Sequence, residues 1–102
     1  MIAERLFPMD HPAAPGHFPG NPVMPGAVLL AETLRAIEAG LGERISPCRI
    51  RSAKFLAPVR PGERFAIEFS RASSGSIRFT VTVAGSTVLN GEAACGAQPA
   101  GS

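Results

Sequence analysis

Tryptophan and tyrosine are missing from this sequence, and all six aromatic residues are phenylalanine. No indole or phenol is available for base stacking or sugar binding, and no tyrosine can act as acid or base. Charge is sparse at 18% and almost balanced, ten basic residues against eight acidic, for a formal net charge of +2. That balance gives no footing for nucleic acid, and none is expected as a partner. Long apolar runs are absent too. The longest is the five residues Ala27 to Ala31, against the roughly 20 a membrane helix needs. No charged-then-apolar segment opens the chain, so neither secretion nor membrane insertion is expected, and the expected location is cytoplasmic. The two cysteines, Cys48 and Cys95, make no close-spaced motif. Both are expected to be free, buried, small hydrophobes in a reducing compartment. The sequence has no phosphate loop, nucleotide fingerprint, Ser/His/Asp arrangement or metal-ligand cluster, so neither metal nor cofactor is expected.

What is present is globular. A chain of 102 residues with 45% hydrophobic content suits one domain, placed at residues 1–95, with 96–102 a flexible tail. A domain this small buries a modest share of its surface, and a dimer would complete its core. The organising stretch starts at Gly16. Three prolines and three glycines fall in the eleven residues Gly16 to Gly26, around His17, one of only two histidines. Each proline fixes its own φ and biases the residue before it to extended geometry, so this loop is stiff. It runs into a helix expected from Pro25, a favoured first-turn residue, to a C-cap near Gly40. The helix is apolar on every side from Ala27 to Ala31, which predicts burial all round.

The remainder reads as strand. Residues 3 to 9 are a first strand that Pro8 pushes to a sheet edge. Residues 47 to 57 form the next. From Glu63 to Arg71, Phe65, Ile67 and Phe69 alternate with Arg64, Ala66, Glu68 and Ser70. After a turn at Ser73-Ser74-Gly75, Ile77, Phe79, Val81 and Val83 alternate with Arg78, Thr80 and Thr82. Gly85-Ser86 turns the chain into a last strand, Thr87 to Cys95. Clean alternation with short turns predicts an antiparallel sheet with one covered face, and only the helix can cover it. The fold class is α+β: a curved antiparallel sheet wrapped around one central helix.

The run His17-Phe18-Pro19-Gly20-Asn21-Pro22-Val23-Met24-Pro25-Gly26 resembles the HFPGxPxxPG signature of the hot-dog-fold (3R)-hydroxyacyl-acyl carrier protein dehydratases. A second block, Lys54 to Arg64, is similar to the family's KFxxPVxPGDxL segment. The resemblance implies sheets paired side by side in a homodimer or higher oligomer, with the site at the subunit interface. It implies that His17 acts on the α-carbon proton of an acyl thioester, and that Gly26, with Ala27, Phe18 and residue 31 close by, binds the substrate and its carbonyl. It also implies that a helix carboxylate from the other subunit protonates the departing β-hydroxyl. The substrate arrives on the phosphopantetheine of an acyl carrier protein, so the enzyme needs no cofactor of its own. Sixteen residues precede His17, which implies a reduced N-terminal cover over the site. The chemistry agrees. Negative charge builds on the thioester oxygen, and amides at a helix N-terminus are suited to hold it. Histidine titrates near neutrality and can take the proton.

One position departs from the family. Its carboxylate lies fourteen residues after the histidine, and that position here is Ala31, with Glu32 next to it. One residue is about 100° of helix rotation. Three readings follow. Glu32 is the candidate acid of a dehydratase; the site is an acyl thioesterase in which water replaces the acid; or the chain is an acyl-binding subunit of a heterodimeric dehydratase. Glu32 and Arg35 are also spaced for an ion pair. His11 is expected to be a solvated loop residue. Phe18, Phe55, Phe65, Phe69 and Phe79 are expected in the core ahead of lining an acyl tunnel, two roles that overlap in a fold whose ligand lies against its core. Seven of the ten basic residues, Arg49, Arg51, Lys54, Arg60, Arg64, Arg71 and Arg78, lie between 49 and 78. They are solvated strand faces or a docking surface for an acidic carrier protein.

Overall fold

The computed structural model describes residues 1–11, 23–45 and 47–95, with residue 95 described by its backbone alone. His17, Phe18 and the tail 96–102 lie outside the described residues. Six elements follow in order: β1 (Ile2–Leu6), α1 (Gly26–Leu41), β2 (Cys48–Phe55), β3 (Arg64–Arg71), β4 (Ser76–Val83) and β5 (Ser86–Cys95). The five strands form one sheet in the order β1-β3-β4-β5-β2, and every neighbouring pair is antiparallel.

The alternating residues set which face is covered. Phe65, Ile67 and Phe69 of β3 and Ile77, Phe79 and Val81 of β4 are all buried, and Val88, Leu89 and Ala93 of β5 join them. From the helix come Leu29, Thr33, Ala36 and Ile37, the i, i+4, i+7, i+8 stripe of one helical face. Burial of each large apolar side chain in this layer contributes roughly 1.5–3 kcal/mol. Thr33, the one buried polar residue in it, donates its hydroxyl to the Leu29 carbonyl at 2.8 Å. The helix lies nearest β1 and β3.

Several boundaries and burials differ from the sequence expectations, each for a physical reason. The helix runs past Gly40 to Leu41, and the left-handed cap is Gly42 at φ 70°, whose N–H reaches the Glu38 and Ala39 carbonyls. Gly40 serves packing instead: a Cβ there would come 2.8 Å from the Phe69 ring. Ala27 and Ala31 are exposed, not buried, because a single sheet covers one flank of a helix and leaves its outward ridge open. Phe55 is 47% exposed, because β2 is an edge strand with no neighbour beyond it. The free-thiol expectation is corrected as well. Cys48 is half-buried and disulfide-bonded. The β2–β5 register sets Cys95, the only other cysteine, opposite it, a closeness hidden by the long sequence separation. Thiol chemistry therefore no longer argues for a reducing compartment. β1 is the edge strand that Pro8 foretold, shorter than expected because residues 8–11 turn, with the His11 N–H donating to the Pro8 carbonyl at 3.1 Å. His11 is half-buried, its ring edge-on to Phe7 at 5.3 Å. Among the described residues no helix is long and apolar enough to cross a membrane.

Candidate functional site

Proline makes the start of α1 unusual. Pro25 is the N-cap at φ −59°, ψ 143°, and no side chain caps the helix. A helix begins with four backbone N–H groups that lack intrahelical partners. Here the Pro25 carbonyl takes one of them, Val28 at 3.0 Å, beside the regular first helical bond from Leu29 at 3.1 Å. Among the described residues the N–H groups of Gly26 and Ala27 have no hydrogen-bond acceptor. The first turn also carries no acidic residue, so the positive end of the helix dipole is unopposed. This is a small anion-holding device made of backbone.

A cavity of about 480 Å³ adjoins it, lined by Met24, Gly26, Leu29 and the run Phe55 to Val59. Its walls are tied together. The Met24 N–H donates to the Val59 carbonyl at 2.8 Å, and the Leu56 N–H to the Val88 carbonyl at 2.8 Å. The lining is apolar and the donors are few, which is the usual make-up of a small-ligand site. Of the cavity residues, the pattern reading put Phe55 in the core ahead of the tunnel lining and Leu56 in the strand. Their signal was the break in strand character at Leu56-Ala57-Pro58, at the end of an edge strand.

The helix separates the remaining candidates. Ala31 lies on the flank facing β2, beside a groove of about 320 Å³ lined by Ala31, Leu34, Arg35, Glu38, Ile45 and Cys48. Glu32, one residue on, turns to the flank facing β1. Its Oε1 accepts from Arg35 Nε at 3.2 Å and Nη2 at 3.1 Å, and its Oε2 lies 3.4 Å from Arg5 Nε. Both Glu32 oxygens are therefore engaged by arginines, one of them on β1. Glu38, the carboxylate on the β2 flank, accepts the Ile45 N–H at 2.9 Å. It stands twelve residues from Gly26, about 18 Å along the axis at 1.5 Å per residue.

The basic residues do not form one patch. Arg64 pairs with Glu4 at 3.8 Å and Arg71 with Glu43. Arg78 faces Glu92 across the β4–β5 ladder. Arg49, Arg51 and Lys54 are exposed along β2, so the edge nearest the cavity keeps a positive stripe. Among the described residues no three His, Cys, Asp or Glu side chains gather into a metal-binding group.

Comparison with known proteins adds three findings. Residues 1–92 match the model of the ApeI-like family, described as ApeI dehydratase. The chain is 40% identical over 91 residues to the 3-hydroxyacyl-[acyl-carrier-protein] dehydratase FabZ of Caulobacter sp. (strain K31), covering 78% of this chain and 55% of that protein. It is 33% identical over 105 residues to the same-named protein of Myxococcus xanthus (strain DK1622), covering 90% and 69%. The chain thus spans little more than half the length of the Caulobacter relative. Among solved structures it superimposes on a chain of the dehydratase heterocomplex ApeI:P from Xenorhabdus doucetiae with a TM-score of 0.74, covering 92% of this chain and 84% of that one. At 18% identity that likeness speaks to the fold, and the fold is the hot-dog arrangement expected from the sequence.

Proposed function

This chain belongs to the ApeI-like dehydratase family, and from that premise we propose that it dehydrates a (3R)-hydroxyacyl thioester carried by an acyl carrier protein, as one subunit of an assembly whose neighbour supplies the proton donor. His17 takes the α-carbon proton. The charge that develops on the thioester oxygen is held by the Gly26 and Ala27 N–H groups, which the Pro25 carbonyl leaves unused. These donors are fixed before reaction, so they need no reorganisation as the charge appears. The β-carbon–oxygen bond then breaks. The departing hydroxyl takes a proton from a carboxylic acid and leaves as water, giving the trans-2-enoyl thioester. Phe18 and the apolar cavity wall would hold the acyl arm, and a carrier-protein substrate places the work in the cytoplasm. The chemistry calls for no cofactor.

The observation that carries the assignment of the acid is the engagement of Glu32 by Arg5 and Arg35 on the β1 flank. Both carboxylate oxygens are taken by guanidiniums on the flank turned away from Ala31, so neither is presented to the place the acid would occupy. We therefore read Glu32 as structural. The place of the acid, Ala31, faces the β2 edge, along which a neighbouring subunit would pair. A related subunit with a carboxylate at the matching position would complete the site over His17 of this chain. That the similar Xenorhabdus doucetiae chain comes from a dehydratase heterocomplex supports a heteromeric reading over a homodimer or higher homo-oligomer.

The same observation favours one alternative. With no acid on the β2 flank near Gly26 among the described residues, water would attack the thioester in place of elimination, and the protein would be an acyl thioesterase. The test is to assay the chain alone, and mixed with a related subunit carrying the helix carboxylate, on 3-hydroxyacyl carrier protein. Enoyl product and free acid are measured separately. Enoyl product in the mixture, lost on His17→Ala, is expected. Free acid without enoyl product would establish the thioesterase instead.

A further inference from the structure

Among the described phenylalanines, Phe7, Phe65, Phe69 and Phe79 are buried, while Phe55 stands 47% exposed. It ends β2 opposite Leu89, on the helix side of the sheet. A Cβ built on Gly26 would lie 3.0 Å from Phe55 Cε1, 3.2 Å from Cζ and 3.3 Å from Cδ1. Three atoms of the ring therefore rest against the first residue of the helix, and any side chain at position 26 would push them away. The backbone that carries the ring is held on both sides. The Leu56 N–H bonds to Val88, and the Val59 carbonyl receives the Met24 N–H, so the wall is tied to β5 on one side and to the entry of the helix on the other.

We propose that Phe55 is a positioning residue: its ring shields the Gly26 N–H from water on the β2 side and sets the planar thioester against that donor. This rests on the dehydratase reading above. A donor beside an apolar wall has fewer waters competing for it, and its attraction for a developing oxyanion is stronger in such surroundings. The flat ring also leaves a slot that suits a planar group, which a branched or short side chain does not. Glycine at 26 lets the ring close against the start of the helix.

The test follows the Gly26 amide resonance of the full chain by NMR while a saturated acyl-pantetheine thioester, which lacks the β-hydroxyl and cannot eliminate, is added. The wild-type resonance is expected to shift on binding. Phe55→Tyr, which keeps the ring, should bind as the wild type does. Phe55→Ala should bind about tenfold more weakly, the scale of an aromatic contact. Phe55→Leu, which keeps apolar bulk and guards against a variant that fails to fold, should lose affinity to the same degree. A Gly26 shift with unchanged affinity in Phe55→Leu would overturn the role of Phe55 and leave the dehydratase reading standing. No Gly26 shift in the wild type would overturn both.

Discussion

The two flanks of α1 carry opposite kinds of chemistry. On the side of β1, charge is satisfied: Glu32 is gripped by Arg35 from its own helix and by Arg5 from the strand. On the side of β2, capacity is left over: two amide donors without acceptors among the described residues, an apolar cavity, an exposed Phe55 and an exposed Ala31. The first flank is finished within a single chain. The second keeps these groups open, together with exposed alanines and the positive stripe along β2. The difference shows why residue identity alone misleads on a helix. Ala31 and Glu32 are neighbours in sequence and differ by about 100° in direction, which separates the groove on the β2 flank from the ion pair on the β1 flank.

The comparison can be broken or sharpened by substitution, and the largest effect is expected on the β2 flank. His17→Ala should lower enoyl formation by about 10³-fold, within the range for loss of a general base, with the melting temperature little changed. A smaller loss would mean that another group takes the proton. Next is a gain. Ala31→Glu places a carboxylate on the unfinished flank, and the chain assayed alone should form enoyl product about tenfold faster or more. No gain in a folded variant that still binds the acyl thioester would argue that Ala31 does not face the reacting carbon. The β1 flank should respond in stability and not in rate. Glu32→Gln removes a half-exposed ion-pair network and should cost about 0.2–1 kcal/mol in urea unfolding. Arg5→Ala should cost a similar amount, and the double variant less than the sum, since the two side chains share one interaction. Strict additivity would mean the Arg5–Glu32 contact contributes nothing.

Much of this organisation was readable from the sequence because it rests on local rules. Alternation in β3 and β4 placed Phe65, Ile67, Phe69, Ile77, Phe79 and Val81 in the core, where all are buried. Pro25 marked the helix start to within one residue, and the spacing of Glu32 and Arg35 foretold their pair. What the sequence hid depends on contacts between distant segments. Gly40 looks like a helix end until Phe69 is seen against it. Cys48 looks like a lone thiol until the β2–β5 register brings Cys95 across from it. Phe55 looks like core until β2 turns out to be the sheet edge. The apolar run Ala27 to Ala31 predicted burial on every side, but one layer of sheet cannot surround a helix. As for the candidate site, the signature named Gly26 and position 31 directly, while the cavity wall at Phe55 to Val59 needed the fold to bring it to the helix end.

The central claim is that the proton for the departing hydroxyl does not come from Glu32. The most direct measurement is the rate of enoyl formation by Glu32→Gln beside the wild type, in whichever assembly turns over, with the melting temperature of both recorded. A rate within about threefold of wild type is predicted, since the side chain lies on the β1 flank and amide replaces carboxylate with little change in shape. A fall of about a hundredfold or more, the scale of a lost general acid, in a variant that melts as the wild type does would contradict the account and return Glu32 to the active site.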